Sequence, residues 1–563
     1  MKERNDEMKQ LYYHADVITM EENEQGELIT AQAVLTEDGK IKQVGSLEEL
    51  LGQAGEDCEK IDCQGGTLLP AFLDPHSHIT ALAQTLSFCD LSGCRSFAEI
   101  SDRMLRFAQD SGLGEGDFLV AFDYDHNDLQ EGRHPDRHLL DRISQEIIQK
   151  MPDHFPGNEP KLAAAISHAS GHMGVLNTAA LQQLGVTRTT PDPEGGRIGR
   201  EEDGEPSGYL EENAFIQLTA KLPQPSHEQT LRNLERAQEI YWQNGIATIQ
   251  DGLTKPENWQ LLQELAEQGR LKSDVVCYAD LRDHRELLRK NPDYCGVYRH
   301  HLRMGGYKIF LDGSPQGRTA WVSELYLGGN GECGYPIYSD EQVTTFVEQA
   351  LEDHQQLLAH CNGDAAAQQY LDACSRAGET AEIRPVMIHA QLLRPDQLPQ
   401  LKKLGMIPSY FVAHTWFWGD VHRQNLGEER AQRISPLHST IEQGIPFTLH
   451  QDTPVIPPDM MKTLWCAVNR RSKSGASMGE QERISPAEAL KAITVNAAYQ
   501  YFEEDIKGSI RPGKQADLVL LSANPLQEDR EKLAEIKVLR TISAGEIVYH
   551  REDSEKNSGE SSR

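Results

Sequence analysis

The sequence predicts an α/β protein built on a TIM-like (β/α)₈ barrel with a large insertion, plus a small β domain formed by both termini. Two observations predict the barrel: eight short apolar segments, and helix-like segments in most of the gaps between them. Near-continuous apolar strands are typical of a parallel sheet buried on both faces, and eight of them alternating with helices are typical of a barrel. The eight candidate strands are residues 67–74, 246–251, 274–280, 306–312, 356–360, 384–390, 408–414 and 446–452.

The remaining segments define the domains. Residues 1–69 and 508–552 contain short strand-like runs separated by turn residues, and we expect them to pair into one small β domain. Residues 70–507 are expected to form the barrel, with an insertion from about 84 to 230 after the first strand, because that gap is too long for one helix. The polar residues 553–563 are expected to be a disordered tail.

The composition indicates which classes of binding partner and which cell compartment to expect. The 563 residues include 55 Lys and Arg against 87 Asp and Glu, a formal charge of −32 that repels nucleic acid and anionic membranes. We therefore expect a small-molecule substrate, with no nucleic acid and no membrane as partner; a homo-oligomer is compatible with the sequence.

The first 20 residues lack a signal-peptide core, no run approaches a membrane span, and the ten cysteines form no C-x-x-C pair. These features predict a cytoplasmic protein with reduced thiols.

Histidines and an aspartate stand at the ends of several predicted strands. His76 and His78 follow the first strand, His360 ends the fifth, His389 nearly ends the sixth and Asp452 ends the eighth. The carboxyl ends of barrel strands meet at one mouth, where active sites lie. Side chains two residues apart on an extended backbone point the same way, so His76 and His78 can reach one ion. Imidazole and carboxylate ligands predict a divalent metal site, with Zn²⁺ favoured and Mn²⁺ or Fe²⁺ compatible.

Lys308 lies inside the fourth predicted strand, where a lysine without a partner is costly to bury. The residues alone leave two interpretations open. In the first, Lys308 forms an ion pair with a neighbour such as Asp312. In the second, burial lowers the pKa of Lys308, and the neutral amine takes up CO₂ to become a carbamate, an anionic ligand that can bridge two cations.

Taken together, these residues resemble the amidohydrolase superfamily of metal-dependent hydrolases. The resemblance is carried by "DPHSH" (74–78), the strand lysine, two later strand-end histidines and the final strand aspartate. Four further stretches are similar to its N-substituted formamide deformylase-like branch, amidohydrolase family 3, so the resemblance covers nearly the whole chain. These stretches are residues 194–214, 306–320, 426–455 and 484–521.

The resemblance implies a barrel flanked by a small β-sandwich-like domain from both termini, with one or two metal ions. By this resemblance, one metal ion is bound by His76, His78 and Asp452, and the other by the two later histidines, His360 and His389. A carboxylated Lys308 bridges the two ions.

The chain departs from the family pattern beside the final aspartate. Many members have a Gly-Ser step there, whereas this chain has His450 and Gln451. The aromatic, histidine-rich stretch 413–422 also differs. These departures indicate a sub-branch with its own pocket and weaken the transfer of a formamide substrate.

The leading function hypothesis is an amidohydrolase that cleaves a carbon–nitrogen bond other than a peptide bond, in an amide, an N-formyl group or a cyclic amide, by a metal-activated hydroxide. Asp452 is expected to be the catalytic residue that accepts the water proton and passes it to the leaving nitrogen. Two alternatives stay open: hydrolysis of an ester, lactone or halide at the same metal site, and a non-catalytic scaffold of the same fold. The candidates for substrate binding are His172, Arg318, His414 and Trp416.

Overall fold

The computed structural model divides the chain into two compact units, one of Met1–Leu82 with Glu235–Arg563 and one of Ala83–Leu234. His172 and the predicted tail 553–563 lie outside the described residues. The structure describes residues 9–126, 128–168, 173–193, 196–219, 221, 226–328 and 331–551.

The strands of these residues form four sheets. In chain order the strands are β1 (Lys9–Tyr13), β2 (Asp16–Glu22), β3 (Leu28–Ala31), β4 (Ala33–Glu37), β5 (Lys40–Gly45), β6 (Glu59–Asp62), β7 (Thr67–Pro70), β8 (Phe72–Leu73), β9 (Cys89–Asp90), β10 (Phe118–Tyr124), β11 (Ala163–His168), β12 (Met173–Leu176), β13 (Gly196–Arg200), β14 (Pro206–Glu212), β15 (Ile246–Thr254), β16 (Asp274–Asp280), β17 (Leu302–Phe310), β18 (Gln356–Cys361), β19 (Val386–His389), β20 (Ile407–Tyr410), β21 (Thr448–Leu449), β22 (Leu518–Leu521), β23 (Val538–Ser543) and β24 (Glu546–His550).

The α-helices connect and cover these strands. In chain order they are α1 (Leu47–Ala54), α2 (Ile79–Thr85), α3 (Phe97–Ser111), α4 (Arg137–Lys150), α5 (Thr178–Gln183), α6 (Asn213–Thr219), α7 (His227–Trp242), α8 (Pro256–Glu267), α9 (Leu281–His284), α10 (Glu286–Lys290), α11 (Asp340–Glu352), α12 (Asp364–Ala377), α13 (Leu398–Lys403), α14 (His414–Phe417), α15 (Gly419–Leu426), α16 (Glu428–Ala431), α17 (Leu437–Glu442), α18 (Met460–Asn469), α19 (Pro486–Ala492) and α20 (Val495–Gln500). None of the described helices is both long and apolar enough to cross a membrane.

Eight parallel strands form the central sheet of the first unit, in the order β8, β15, β16, β17, β18, β19, β20 and β21. Each overlaps one of the eight predicted strands, and helices follow every strand, as β–α–β connections between parallel strands require. The backbone N–H of His78 donates to the carbonyl oxygen of Thr453 at 2.8 Å, which links the segment after β8 to the segment after β21. The mixed α/β fold with a curled, eight-stranded parallel sheet therefore fits the TIM-like fold that the sequence predicted.

The barrel strands are buried because helices cover the outside of the sheet and apolar side chains fill its interior. All seven residues of β16 and all four of β19 are buried, the pattern expected of parallel strands covered on both faces. Side chains from five of the eight strands meet in one core cluster, so the sheet curls around them. This cluster contains Leu73, Val276, Tyr278, Leu358, Val386, Ile388, Ile407, Ala497, Ala498 and Tyr501.

Strands from both ends of the chain form a second sheet of the first unit, in the order β24, β23, β22, β7, β2 and β3. A four-stranded sheet, β5, β4, β1 and β6, shares a hydrophobic cluster with it. The predicted first barrel strand, 67–74, is split between sheets, because Leu68 packs in this terminal cluster and Leu73 packs in the barrel. A separate β-sandwich-like domain of residues 1–69 with 508–552 stays a prediction, since these sheets belong to the same compact unit as the barrel.

The second unit has its own sheet and core. Its six strands lie in the order β13, β14, β12, β11, β10 and β9, of which β9, β10 and β11 are parallel. Helices α3 and α4 bury Ile100, Met104, Leu140 and Ile143 in the cluster beside this sheet. The segment predicted as an insertion therefore has enough apolar surface to form a core of its own.

Candidate metal centre

His76 and His78 lie on the segment that follows β8. The Asp74 carboxylate accepts a hydrogen bond from the backbone N–H of His76 at 3.2 Å, and Ser77 Oγ donates to the carbonyl oxygen of Gln250 at 3.3 Å. These bonds fix the backbone between the two histidines. The imidazole rings of His76 and His78 stand edge to face with centroids 5.0 Å apart.

Asp452 lies among the imidazoles. Its Oδ1 is 3.3 Å from His76 Nε2 and 3.1 Å from His78 Nε2, and its Oδ2 is 3.8 Å from His389 Nε2. A tetrahedral Zn²⁺ with ligands at 2.0–2.1 Å holds its ligand atoms about 3.3 Å apart. The buried Oδ1 accepts no hydrogen bond from the described residues. A shared cation satisfies this oxygen, so His76, His78 and Asp452 fit a metal site.

The backbone is strained where it delivers two of these side chains. Asp452 has φ 56° and His389 has φ 70°, in the left-handed region that residues other than glycine rarely adopt. Such conformations cost on the order of 1–3 kcal/mol each and persist only where the surrounding structure fixes them. At both positions the strained residue aims its side chain at the same centre.

His360 and His389 stand on the neighbouring strands β18 and β19. Their rings meet edge to face with centroids 4.5 Å apart, and the His389 ring is 5.7 Å from that of His76. Burial, together with the neighbouring histidines and Lys308, holds the pKa values of His76 and His389 well below the usual range. Both imidazoles are therefore neutral at physiological pH, which is the form that binds a metal.

The carboxylate of Asp452 is ionised in the same surroundings. Burial by itself would raise its pKa, but His78, His450 and Lys308 together bring the pKa below the usual value. The centre thus combines neutral imidazoles with one anionic carboxylate, the ligand chemistry that suits Zn²⁺ and related divalent ions.

Gln250 on β15 orients His76. Its Oε1 accepts from His76 Nδ1 at 2.7 Å, while its Nε2 donates to the Pro75 carbonyl at 2.7 Å and to Tyr501 Oη at 3.0 Å. Tyr501 in turn donates to the Asp74 carbonyl at 2.6 Å. With the proton held on Nδ1, the lone pair of His76 Nε2 faces Asp452 and the centre. Sequence reasoning missed Gln250; its only signal was a polar residue inside an apolar strand.

Asp312 orients His360 in the same way. Its Oδ1 lies 3.1 Å from His360 Nδ1, and its carboxylate also accepts from the backbone N–H groups of Asn362 at 2.9 Å and Gly363 at 2.7 Å. Because Asp312 is engaged with His360 and the backbone, the ion pair between Asp312 and Lys308 is not found among the described residues.

His450 supports His389 from behind. His389 Nδ1 is 3.1 Å from His450 Nε2, and His450 Nδ1 is 2.9 Å from Ser409 Oγ. Burial lowers the pKa of His450 to about 3, so its ring is neutral. It forms one hydrogen bond with His389 and one with Ser409. The histidine that departs from the family pattern therefore orients a predicted metal ligand.

Lys308 is fully buried beside the same centre. Its Nζ lies 3.5 Å from His76 Nε2. Burial lowers the pKa of Lys308 to about 7, against the opposing effect of Asp452. A large fraction of this amine is therefore neutral near physiological pH.

Two of the predicted substrate-binding residues, His414 and Trp416, lie in α14, which follows β20. His414 is buried, with Nδ1 3.1 Å from His422 Nε2, and its ring packs on Phe411 at 4.5 Å. Phe411 also contacts His389, with ring centroids 6.0 Å apart, so His414 lies behind the centre. Trp416 packs edge to face on Trp465 at 5.1 Å. Their role in substrate binding stays a prediction.

Arg318 is bound to protein partners. Its Nε donates to Asn425 Oδ1 at 2.9 Å, and its Nη1 lies 3.8 Å from a Glu332 carboxylate oxygen. Its φ of 58° is another left-handed conformation, which indicates a fixed loop. Substrate binding by Arg318 and by the undescribed His172 stays a prediction.

Known proteins resemble the chain over nearly its full length. The model of the amidohydrolase family matches residues 59–549. Putative amidohydrolase YtcJ of Bacillus subtilis (strain 168) is 27% identical over 554 residues, which cover 97% of this chain and 100% of the relative. N-substituted formamide deformylase of Arthrobacter pascens is 26% identical over 544 residues, which cover 92% of this chain and 95% of the relative.

Solved structures share the fold. An uncharacterized metal-dependent hydrolase from Pyrococcus furiosus superposes with a TM-score of 0.71 at 24% identity, over 92% of this chain and 100% of the other. One from Pyrococcus horikoshii OT3 superposes with a TM-score of 0.69 at 23% identity, over 93% of this chain and 99% of the other.

The hydrogen bond that His76 donates to Gln250 predicts a measurable effect on metal affinity. In Gln250→Leu, His76 loses the partner that fixes its tautomer, and we expect zinc affinity to fall about 10- to 100-fold, as for other outer partners of metal-bound histidines. Competition with a chromophoric chelator measures the affinity, and circular dichroism checks the fold. Gln260→Leu, at an exposed position of α8, is the matched control. Equal zinc affinity in the two variants would contradict the role of Gln250.

Proposed function

The chain belongs to the amidohydrolase family, and we propose that it is a metal-dependent hydrolase of a carbon–nitrogen bond other than a peptide bond. The bond lies in an amide, an N-formyl group or a cyclic amide. The observation that carries the proposal is the convergence of His76, His78 and Asp452 on one point at the carboxyl ends of the barrel strands. The similarity to a relative named N-substituted formamide deformylase supports the choice of bond.

The proposed metal ligands are His76, His78 and Asp452 for one divalent ion, and His360 and His389 for a second. Zn²⁺ is favoured by the mixture of imidazole and carboxylate. Such an ion, when bound, lowers the pKa of a water towards ~7 and polarises a carbonyl oxygen. The matching distances around Asp452 Oδ1 and its missing hydrogen-bond partner among the described residues support this assignment.

Asp452 is proposed as the catalytic residue that moves the proton. Its carboxylate is ionised at neutral pH, so it can accept a proton from the attacking water. It then returns the proton to the leaving nitrogen, which is a poor leaving group unless it is protonated. The proposed ligands are themselves supported by hydrogen bonds to Gln250, Asp312 and His450. These bonds hold the imidazoles in a fixed tautomer and orientation.

Lys308 is proposed to be carboxylated and to bridge the two ions. The neutral amine attacks CO₂, a nitrogen–carbon bond forms, and one proton leaves to solvent, which converts a buried amine into an anionic oxygen ligand. The position of Nζ beside His76 and its lowered pKa support this reaction. It also removes an otherwise unfavourable group, a buried ammonium with no carboxylate in hydrogen-bond contact among the described residues.

A substrate screen tests the proposed function directly. Metal-loaded protein is assayed against N-acyl, N-formyl and cyclic amides, and against esters, lactones and ring halides, with metal-stripped protein as the control. We expect hydrolysis of at least one amide class, loss of that activity on stripping, and recovery on adding Zn²⁺. Hydrolysis confined to esters, lactones or halides would favour the alternative bond, and full activity without metal would contradict a metal-dependent reaction.

Substitution of the proposed proton carrier should abolish most of the turnover. In Asp452→Asn we expect kcat to fall by at least about 10²-fold, because an amide can neither accept the proton nor balance the cation. Asp459→Asn is the matched control, since Asp459 caps α18 and asparagine caps a helix equally well. Near-normal turnover in Asp452→Asn, with the control active, would overturn the assigned role.

Carboxylation of Lys308 has a spectroscopic signature. Protein equilibrated with ¹³C-enriched bicarbonate and Zn²⁺ should show a ¹³C NMR carbamate resonance that is missing from Lys308→Arg. The exposed Lys532→Arg serves as the control and should keep the resonance. A wild-type spectrum identical to that of Lys308→Arg would show that Lys308 remains an amine.

A further inference from the structure

The second unit contains another group of metal-ligating side chains. Tyr124, the last residue of β10, is paired in register with His168, the last residue of the parallel strand β11. Asp125 and His126 follow Tyr124 directly. All of these residues lie at the carboxyl ends of neighbouring parallel strands, which is where open α/β sheets bind ligands.

The donor atoms of three of these residues are close enough to share one ion. His126 Nδ1 lies 3.1 Å from His168 Nε2, His168 Nε2 lies 3.4 Å from Asp125 Oδ1, and His126 Nδ1 lies 3.7 Å from the same oxygen. These separations bracket the edge of about 3.3 Å that a tetrahedral zinc site requires. Similar separations, 3.3 and 3.1 Å, occur around Asp452, where the family implies a metal.

The backbone of β10 is distorted immediately before the group. The pairing of β10 with β11 shifts register between Ala121 and Tyr124, and Asp123 has φ 69°. A β-bulge of this kind redirects the side chains that follow it and is frequent beside functional sites. Here it directs Asp125 and His126 towards His168.

A third imidazole stands next to the group. The ring of His134 stacks on that of His126 with centroids 3.9 Å apart, and its Nδ1 is 3.0 Å from Tyr124 Oη. His134 therefore packs against His126 and is bonded to Tyr124, beside the three donor atoms.

We propose that Asp125, His126 and His168 bind one divalent transition-metal ion, Zn²⁺ by ligand type, at the carboxyl ends of β10 and β11. This site is additional to the centre at Asp452 and is formed wholly within the second compact unit. Its two imidazoles and one carboxylate leave a fourth position for water. Because the ion joins the end of one strand to the end of its neighbour, it stabilises the fold of this unit.

The competing explanation is a hydrogen-bonded histidine pair beside a carboxylate, with one proton between His126 and His168. The two explanations predict different metal contents. Equilibrium dialysis of the full chain at buffered micromolar free Zn²⁺, followed by elemental analysis, measures the bound equivalents. His126→Phe removes the ligand nitrogen and keeps an aromatic ring against His134. His138→Phe, at an exposed histidine that pairs with Glu201, is the matched control.

We expect His126→Phe to bind one equivalent of zinc fewer than the wild type, and His138→Phe to bind as many as the wild type. The same comparison in a His76→Ala/His78→Ala background separates this site from the centre at Asp452. In that background His126→Phe should again lose one equivalent, whether or not the proposed hydrolase centre binds metal. Equal zinc content with and without His126→Phe in both backgrounds would overturn the proposal.

Thermal unfolding gives a second readout that does not depend on stoichiometry. Zn²⁺ should raise the Tm of His76→Ala/His78→Ala, because a ligand that binds only the folded state stabilises it. Mg²⁺ should not, since it prefers oxygen ligands. Asp125→Asn in this background, which keeps both imidazoles and the shape of the side chain, should reduce the zinc-dependent shift. A zinc-dependent shift that is the same with and without Asp125→Asn would contradict the site.

Discussion

The candidate centre depends on one carboxylate held among neutral imidazoles. Asp452 Oδ1 faces the Nε2 atoms of His76 and His78 at 3.3 and 3.1 Å. Burial keeps His76 and His389 neutral, so they cannot balance the negative charge by protonation. Burial disfavours the ionised Asp452, whereas His78, His450 and Lys308 favour it. A divalent cation at the proposed site would add a full positive charge beside this carboxylate, and Asp452 and His389 adopt strained conformations that direct their side chains to that point.

Three polar side chains around the centre orient its histidines. Gln250, Asp312 and His450 each contact the Nδ1 atom of one histidine. The Nε2 atoms of His76 and His389 face Asp452, whereas His360 Nε2 lies 3.3 Å from Asn362 Nδ2. The three partners differ chemically: an amide, a carboxylate and a neutral imidazole. Such differences alter how strongly each histidine donates to a metal. The departure from the family pattern at His450 thus lies in a side chain that contacts the proposed ligand His389.

The sequence predicted the barrel strands and the residues at their ends, because both follow from local patterns. Buried parallel strands are short apolar runs, and His76 and His78 are two residues apart, so each pattern is readable without the fold. The division of residues 67–74 between two sheets was not readable, since it depends on which core each leucine enters. Gln250 was missed because its partner His76 is 174 residues away. The group around His126 was missed because only the pairing of β10 with β11 brings it together.

Binding of one cation by His76, His78 and Asp452 is tested most directly with crystals of the zinc-loaded protein, measured on both sides of the zinc absorption edge. We expect an anomalous peak about 2.0–2.2 Å from His76 Nε2, His78 Nε2 and an Asp452 carboxylate oxygen. No anomalous density among these three side chains at saturating Zn²⁺ would contradict it.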